Sequence, residues 1–434
     1  MMKSLVSPPL ASQIGSRQAL MALRALRHGF DNMLPVLEMV HRQLGDVFQI
    51  PLGNFRPVVV ASPRGLRQAL VERRETFRWR PKDDPVTRLL RRGILVTDGE
   101  LHDCLRAVMA TSNTRRHFAL RSQDLWREVD RLTANWQSGQ RYDMFVEMRK
   151  LALAIFERVY FSYDLWPELP RLWDAVMAAL QYISPGMWIF LGASDPPKSV
   201  RRLDEHFYAL IRQRRADPQP PDDLLTHLVQ ALEDDELVRD QLITMFIAGH
   251  DTSTAALAWT LYLMGRHPYW LTRACDEVRQ ILGRTPPTPD TVDNLDVLDQ
   301  IVKESLRLYP PIHIGNRFSV QDVELDGYQI PAGTRVMLSY YLVQRHPDWW
   351  EAPDEFRPHR WEGDLRPHPF TYLPFGGGPR NCIGGPFAQL EMRLVLARLL
   401  QRFDFVLRRQ DVRAQMHAAL EPHPGVEMEV HRLP

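Results

Sequence analysis

Apolar residues recur at helical spacing over long stretches of this chain, at 119–137, 145–162, 200–215, 223–232 and 238–266. Each stretch predicts a helix with one face turned to a core. Strand-like alternation is rarer. DVFQIPLGNFRPVVVAS at 46–62 predicts a hairpin turned at Gly53 and Asn54. VELDGYQIPAGTRVMLSYY at 323–341 predicts strands turned at Asp326-Gly327 and Ala332-Gly333, and VEMEV at 426–430 predicts a last strand. Proline clusters at 216–223 and 283–290 read as loops between helices. The segment 16–30 reads as an amphipathic helix, expected to pack on the chain's own core rather than rest on a membrane surface. With no repeat and no sharp change in composition, the expectation is a mainly α fold with small β-sheets, one unit over 1–434.

Composition narrows the field of partners. Lys+Arg 54 against Asp+Glu 53 leaves +1, which gives no bulk attraction for nucleic acid. Lys3, Pro8, Pro9, Arg17, Arg24 and Arg27 interrupt the first thirty residues, so a signal peptide or membrane anchor is not expected there. Three scattered cysteines, Cys104, Cys275 and Cys382, fit neither a disulfide framework nor zinc spacing, and point to a reducing, cytoplasmic setting. Cys104 and Cys275 have no ligand context and are expected to be packing residues.

Cys382 is different. It sits in PFGGGPRNCIGG, 374–385, behind three glycines and before the pair Gly384-Gly385, with a helix opening at Pro386. Glycines let a backbone press close to a flat object, and amide N–H groups with the positive end of a helix dipole favour a thiolate. A thiolate offered to a planar partner suits the axial position of a haem iron.

Two further motifs carry chemistry. AGHDTS, 248–253, puts Gly249, costly by roughly 1 kcal/mol in mid-helix, next to Asp251 and Thr252 in an otherwise apolar helix. Gly249 would let a flat ligand approach the backbone, and an acid beside a hydroxyl can pass protons. The bland alternative is a threonine bonded back to its own helix. In IVKESLRLYPP, 301–311, Glu304 and Arg307 share a helix face that ends before two prolines. On a surface that pair would contribute little. Arg357 or Arg360, from PDEFRPHRW at 353–361, would turn it into a buried triad bracing the loop that leads to Cys382.

These motifs together resemble the haem-thiolate monooxygenases, the cytochromes P-450, over nearly the whole chain. Phe375, Gly378, Arg380, Cys382 and Gly384 match the cysteine signature. Ala248, Gly249, Asp251 and Thr252 match the oxygen-activation motif, and Glu304, Arg307 and Arg360 match the structural triad. The resemblance implies a single fold with haem b between the Cys382 loop and the helix carrying Asp251 and Thr252, the iron ligated by the Cys382 thiolate. It assigns the haem propionates to His102 and Arg106 of DGELHDCLR (98–106), to Arg317 and to Arg380.

The implied reaction inserts one atom of O2 into a C–H bond, with Asp251 and Thr252 delivering protons. The wall stretches at 80–95, 177–195, 244–252, 311–316 and 417–424 are rich in apolar side chains, which favours an apolar substrate such as a fatty acid, terpenoid or carotenoid. These residues hold no dinucleotide fingerprint and no iron–sulfur cysteine set, so electrons are expected from a separate ferredoxin or flavodoxin with its NAD(P)H reductase. Arg380, Arg393 and Arg398 would form a basic docking face for it. Membrane contact is expected to be peripheral at most. A peroxide-driven peroxygenase and a non-catalytic haem sensor or carrier are the rival readings. The Asp251–Thr252 pair, which peroxide chemistry does not need, and the apolar walls at 181–192 and 311–316 argue against them.

Overall fold

A computed structural model describes residues 6–13, 33–51, 55–81, 83–186, 188–363, 365–409 and 411–433. The segment 16–30 and the turn at Gly53 and Asn54 lie outside the described residues. The longer helices are α1 (Leu34–Leu44), α2 (Gly99–Ala110), α3 (Ser122–Leu132), α4 (Met144–Phe161) and α5 (Leu169–Ile183). They continue with α6 (Arg201–Ala216), α7 (Asp235–Arg266), α8 (Pro268–Leu282), α9 (Asp296–Leu308) and α10 (Gly385–Arg402). None of the described helices is long and apolar enough to cross a membrane.

Local chemistry sets the helix ends. α7 starts three residues before its apolar period because the Asp234 carboxylate accepts the N–H groups of Glu236 and Leu237 at 2.9 and 3.2 Å. The predicted helix at 119–137 is divided instead. Arg115–Leu120 ends at Arg121, whose side chain is drawn to Arg158 O and Ser162 Oγ at 3.1 and 2.8 Å, and α3 follows. α9 stops ahead of Pro310 and α10 takes Pro386 into its first turn, both as expected.

Among the described residues, twelve strands form small sheets. β1 (Val47–Gln49), β2 (Val58–Val60), β3 (Phe77–Arg78), β5 (Ile314–Ser319) and β8 (Arg335–Ser339) make one sheet in the order β1-β2-β8-β5-β3. β4 (Arg141–Asp143), β9 (Phe403–Leu407) and β12 (Glu427–Arg432) make a second, in the order β4-β12-β9. β6 (Val323–Leu325) with β7 (Tyr328–Ile330) and β10 (Arg413–Met416) with β11 (Leu420–His423) are hairpins. The first turns where expected, with positive φ at Asp326 and Gly327. The strand carrying Arg317, β5, goes unpredicted, as do β9 to β11.

The largest core forms where α4, α7 and α10 meet. Beside it, α9 is tied to the segment before Cys382 by the predicted triad. Glu304, fully buried, accepts from Arg307 Nε and Nη2, from Arg360 Nε and from Trp361 Nε1, each at 2.9 Å, and from the Arg357 backbone N–H at 3.0 Å. Arg307 also donates to the carbonyls of Gln344, Pro353 and Glu355. Of the two candidates at 353–361, Arg360 supplies the side chain and Arg357 only its backbone.

Removing one member of such a network strands the others without a counter-charge. Glu304→Ala is therefore expected to lower the unfolding free energy by about 3–5 kcal/mol in urea titrations. A loss under about 1 kcal/mol would show that the triad does not brace the fold.

Candidate functional site

A cavity of about 410 Å³ lies among α7, the β5–β8 ladder and the loop before α10. Phe375, Arg380, Cys382, Arg317, Ala248, Gly249, Asp251 and Thr252 all line it, so segments far apart in the chain converge here. His102 and Arg106 do not line it. His102, buried on α2, meets Asp103 at 2.9 Å, and Arg106 donates to Asn381 O and Oδ1 at 3.1 and 2.8 Å, holding the residue before the cysteine from behind.

The cysteine loop closes through Cys382 N–H, which donates to Phe375 O at 2.8 Å. Gly378 sits at φ 71°, and a Cβ there would collide with the Leu70 carbonyl, so this position needs glycine. Cys382 lies deep in the protein with its surface open, because it faces the cavity. Burial pushes its thiol above the ordinary range, and the Gly384 N–H, the Arg106 charge and the Gly385 N–H pull it only part way back. The amides and helix end thus do not produce a thiolate unaided. A bound metal cation would.

The cations of the site make the same point from the other side. Among the described residues, Arg149, Arg214, Arg239, Arg307 and Arg317 are buried. The first four each hold a carboxylate. Arg317, 6 % exposed, does not: its hydrogen bond is to Asn316 O at 2.7 Å, and its guanidinium lies 3.9 Å from the Trp79 ring centre. Burial brings it down to about 10, the direction expected of a cation lacking an anion. Arg380 lies 4.7 Å from the same ring centre, pairs with Asp98 and donates to Thr97 O at 2.6 Å. Cys382 and an unanswered cation on one cavity fit a flat metal complex that carries carboxylates, as haem does.

α7 forms the opposite wall. Ala248 is exposed on an otherwise buried stretch because it opens onto the cavity. Gly249 lines the cavity too, but its missing side chain is needed by Phe156 of α4, which an added Cβ would strike. The space expected for a flat ligand is thus shared with helix packing. Thr252 Oγ1 donates to Ala248 O at 2.8 Å, so the bland hydrogen bond is made while the residue still faces the cavity. Asp251 is buried against Arg149 Nη1 at 2.8 Å, and Arg149 Nη2 reaches Glu421 of β11 at 3.0 Å.

Burial, then repulsion from Asp251, pushes the Glu421 carboxyl up to about 7, against the pull of Arg149. His417 Nδ1 lies 3.4 Å from the other Glu421 oxygen and also lines the cavity. Arg149, Glu421 and Trp79 stand at this site without having been expected from the sequence. Only Arg149 carried a signal, as a charge between Met148 and Leu151 on an apolar helix.

Two other expectations change. Cys104 is exposed rather than packed, whereas Cys275 is buried. The arginines of the expected docking face are each answered internally: Arg380 by Asp98, Arg393 by Asp293 at 3.1 Å, and Arg398 by Asp130 at 2.7 Å.

The chain matches the family model described as Cytochrome P450 over residues 18–430. It is 32% identical over 365 residues to the putative cytochrome P450 139 of Mycobacterium tuberculosis, covering 78% of this chain and 84% of that protein. It is 30% identical over 378 residues to the pentalenene oxygenase of Streptomyces avermitilis, covering 83% of this chain and 84% of that one. Among solved structures, the cytochrome P450DA heme domain superposes with a TM-score of 0.84 at 26% identity, covering 100% of this chain and 98% of that chain.

One buried acid beneath the cavity titrates on its own. Glu391 of α10 is buried, with Ser253 Oγ donating to it at 2.5 Å, and burial pushes its carboxyl up to about 8. Since unfolded glutamate titrates near 4.5, the folded protein holds a proton between about 4.5 and 8 that the unfolded chain has lost. Its contribution is complete below that window and is lost as pH rises through it. In denaturant titrations from about pH 5.5 to 8, Glu391→Gln should gain on the wild type as pH rises. A constant difference between the two would mean that Glu391 is ionised in the folded protein.

Proposed function

The chain belongs to the cytochrome P450 family, and on that premise we propose that it is a haem-thiolate monooxygenase hydroxylating a C–H bond of an apolar small molecule. The observation that carries this reading is the pairing, on one cavity, of Cys382 with the buried, carboxylate-free Arg317. A haem held by Cys382 would supply the activation of O2, with two electrons and two protons sending one oxygen atom into the substrate and the other into water.

The residues' parts follow from where they stand. Cys382 would ligate the iron of a haem b, on a loop fixed by Gly378 and by the Phe375 carbonyl. Arg317 and Arg380, stacked about Trp79, would take the propionates. His102 and Arg106 support that end indirectly, His102 beside Arg380 and Arg106 through Asn381. Phe375 flanks the cysteine, and Ala248 and Gly249 keep the facing helix thin. Glu304, Arg307 and Arg360 hold the preceding segment in place.

Thr252, with its proton directed to Ala248 O, presents its lone pairs to a donor in the cavity. Asp251 is the acid behind it. Its proton traffic depends on Arg149, which Asp251 shares with Glu421. The apolar wall, including Phe156, Ile183, Met245 and Ile247, excludes water and favours lipid-like or terpenoid substrates. Members of this family draw electrons from a redox partner, and a separate ferredoxin or flavodoxin with its NAD(P)H reductase fills that part here. In this reading the protein works with that partner in the cytoplasm, as one haem domain over residues 1–434.

The reduced protein with carbon monoxide should show the red-shifted band of a thiolate-ligated haem, and Cys382→Ser should lack it. A band unchanged by that substitution would end the haem-thiolate reading. Thr252→Ala should still consume O2 but release peroxide, with product per NAD(P)H falling several-fold. Unchanged coupling would remove Thr252 from proton delivery.

A further inference from the structure

Two arginines left unused by this chemistry, Arg80 and Arg335, stand in the wall of the same cavity. They share a single carboxylate. Asp84 accepts from Arg80 Nη1 at 3.0 and 3.1 Å and from Arg335 Nη1 and Nη2 at 3.2 and 3.3 Å. It also takes the Val86 N–H at 3.0 Å, and its side chain is fully buried, so its acceptor capacity is spent. Asp83, next to it, is exposed. Arg80 Nε is buried with no hydrogen-bond partner. Beyond Asp84, Arg335 reaches, among the described residues, only the Asn316 side-chain oxygen, at 3.4 Å, between the rings of Phe55 and Trp188 at 5.7 and 5.9 Å. An apolar wall thus holds two guanidiniums against one buried carboxylate, an excess of positive charge that costs free energy until an anion answers it.

Strand register separates this charge from the Arg317 site. Arg317 lies opposite Val336, and Phe318 opposite Arg335, across the β5–β8 ladder. Successive side chains point to opposite faces. Arg317 therefore points to the side of Val336 and Leu338, which pack with Tyr340 and Leu373 of the cysteine-loop side. Arg335 points to the side of Asn316 and Met337, where Leu37 and Val59 lie. An anion bound by Arg335 is not the cofactor carboxylate that Arg317 takes.

We propose that Arg335, with Arg80 beside it, anchors the carboxylate of an amphiphilic substrate, an apolar chain ending in an acid. The proposal rests on the monooxygenase reading and names the substrate class for that cavity. From Phe318, opposite Arg335, to Ile314 at the other end of β5 is four residues, about 13 Å of strand. At that far end Ile314, on the same face of the strand as Arg335, lines the cavity that also receives Cys382. An acid held at Arg335 extends its chain along β5 toward the cysteine loop, so the attacked carbon is set by its distance from the carboxylate.

The test compares dodecanoic acid with methyl dodecanoate on the haem-loaded enzyme, by calorimetry and by the shift in haem absorption. The wild type is expected to bind the acid about 10- to 100-fold more tightly than the ester. Arg335→Gln should lose that preference while binding the ester as before, and Arg335→Lys should keep part of it. Equal affinity for acid and ester in the wild type would overturn the proposal, as would a Gln variant that loses both ligands alike. The carbon monoxide band is read on the same samples. Its absence ends the haem-thiolate reading while calorimetry still reports the anchor, and its presence without an acid preference ends the anchor alone.

Discussion

An arginine taken out of water must find an anion, and that requirement organises this protein more than any single helix does. Arg307 finds Glu304, and the same carboxylate collects Arg360, Trp361 and the Arg357 backbone, which fixes the segment running toward Cys382. Arg149 finds Asp251 and Glu421, which ties α4, α7 and the β10–β11 hairpin into one wall. Arg239 finds Asp204 and Asp240, joining α6 to α7. The desolvation cost of each guanidinium is offset only when these partners are all in place, so the cavity's walls hold one another in position.

Arg317 breaks the rule, and the proposed cofactor site is built on that exception. It is buried, stacked on Trp79 and unanswered by a carboxylate, on the cavity that also receives a cysteine whose own surroundings leave it protonated. A cation lacking an anion and a thiol lacking a metal are each costly alone. The haem proposed here would answer both, with Cys382 and Arg317 as the residues that would hold its iron and a propionate. Arg335, with Arg80 beside it, repeats the imbalance on the other face of the sheet, where the proposed acid substrate would supply the negative charge.

How much of this was legible in the sequence depends on whether the signal is local. Cys382, Asp251, Thr252 and the Glu304–Arg307 pair lie in motifs whose spacing itself carries chemistry, and long helices such as α4 and α7 announce themselves by period. Gly249 was legible as a special position but not for its main reason, because Phe156 comes from a helix far away in the chain. Strand β5 was hidden, since IGNRFS alternates too weakly to read as a strand before its partner β8 is known. The charge pairings were hidden for the same reason. Nothing near Arg149 in sequence names Glu421, and nothing near Arg393 or Arg398 tells that Asp293 and Asp130 neutralise them.

The claim on which the rest depends is that sulfur from Cys382 occupies the iron's axial position. X-ray absorption at the iron edge of the purified, haem-loaded protein reads that directly. The account predicts one sulfur scatterer in the first coordination shell of the wild type, lost in Cys382→Ser. A first shell of nitrogen and oxygen alone in the wild type, or a sulfur that survives the substitution, would contradict it.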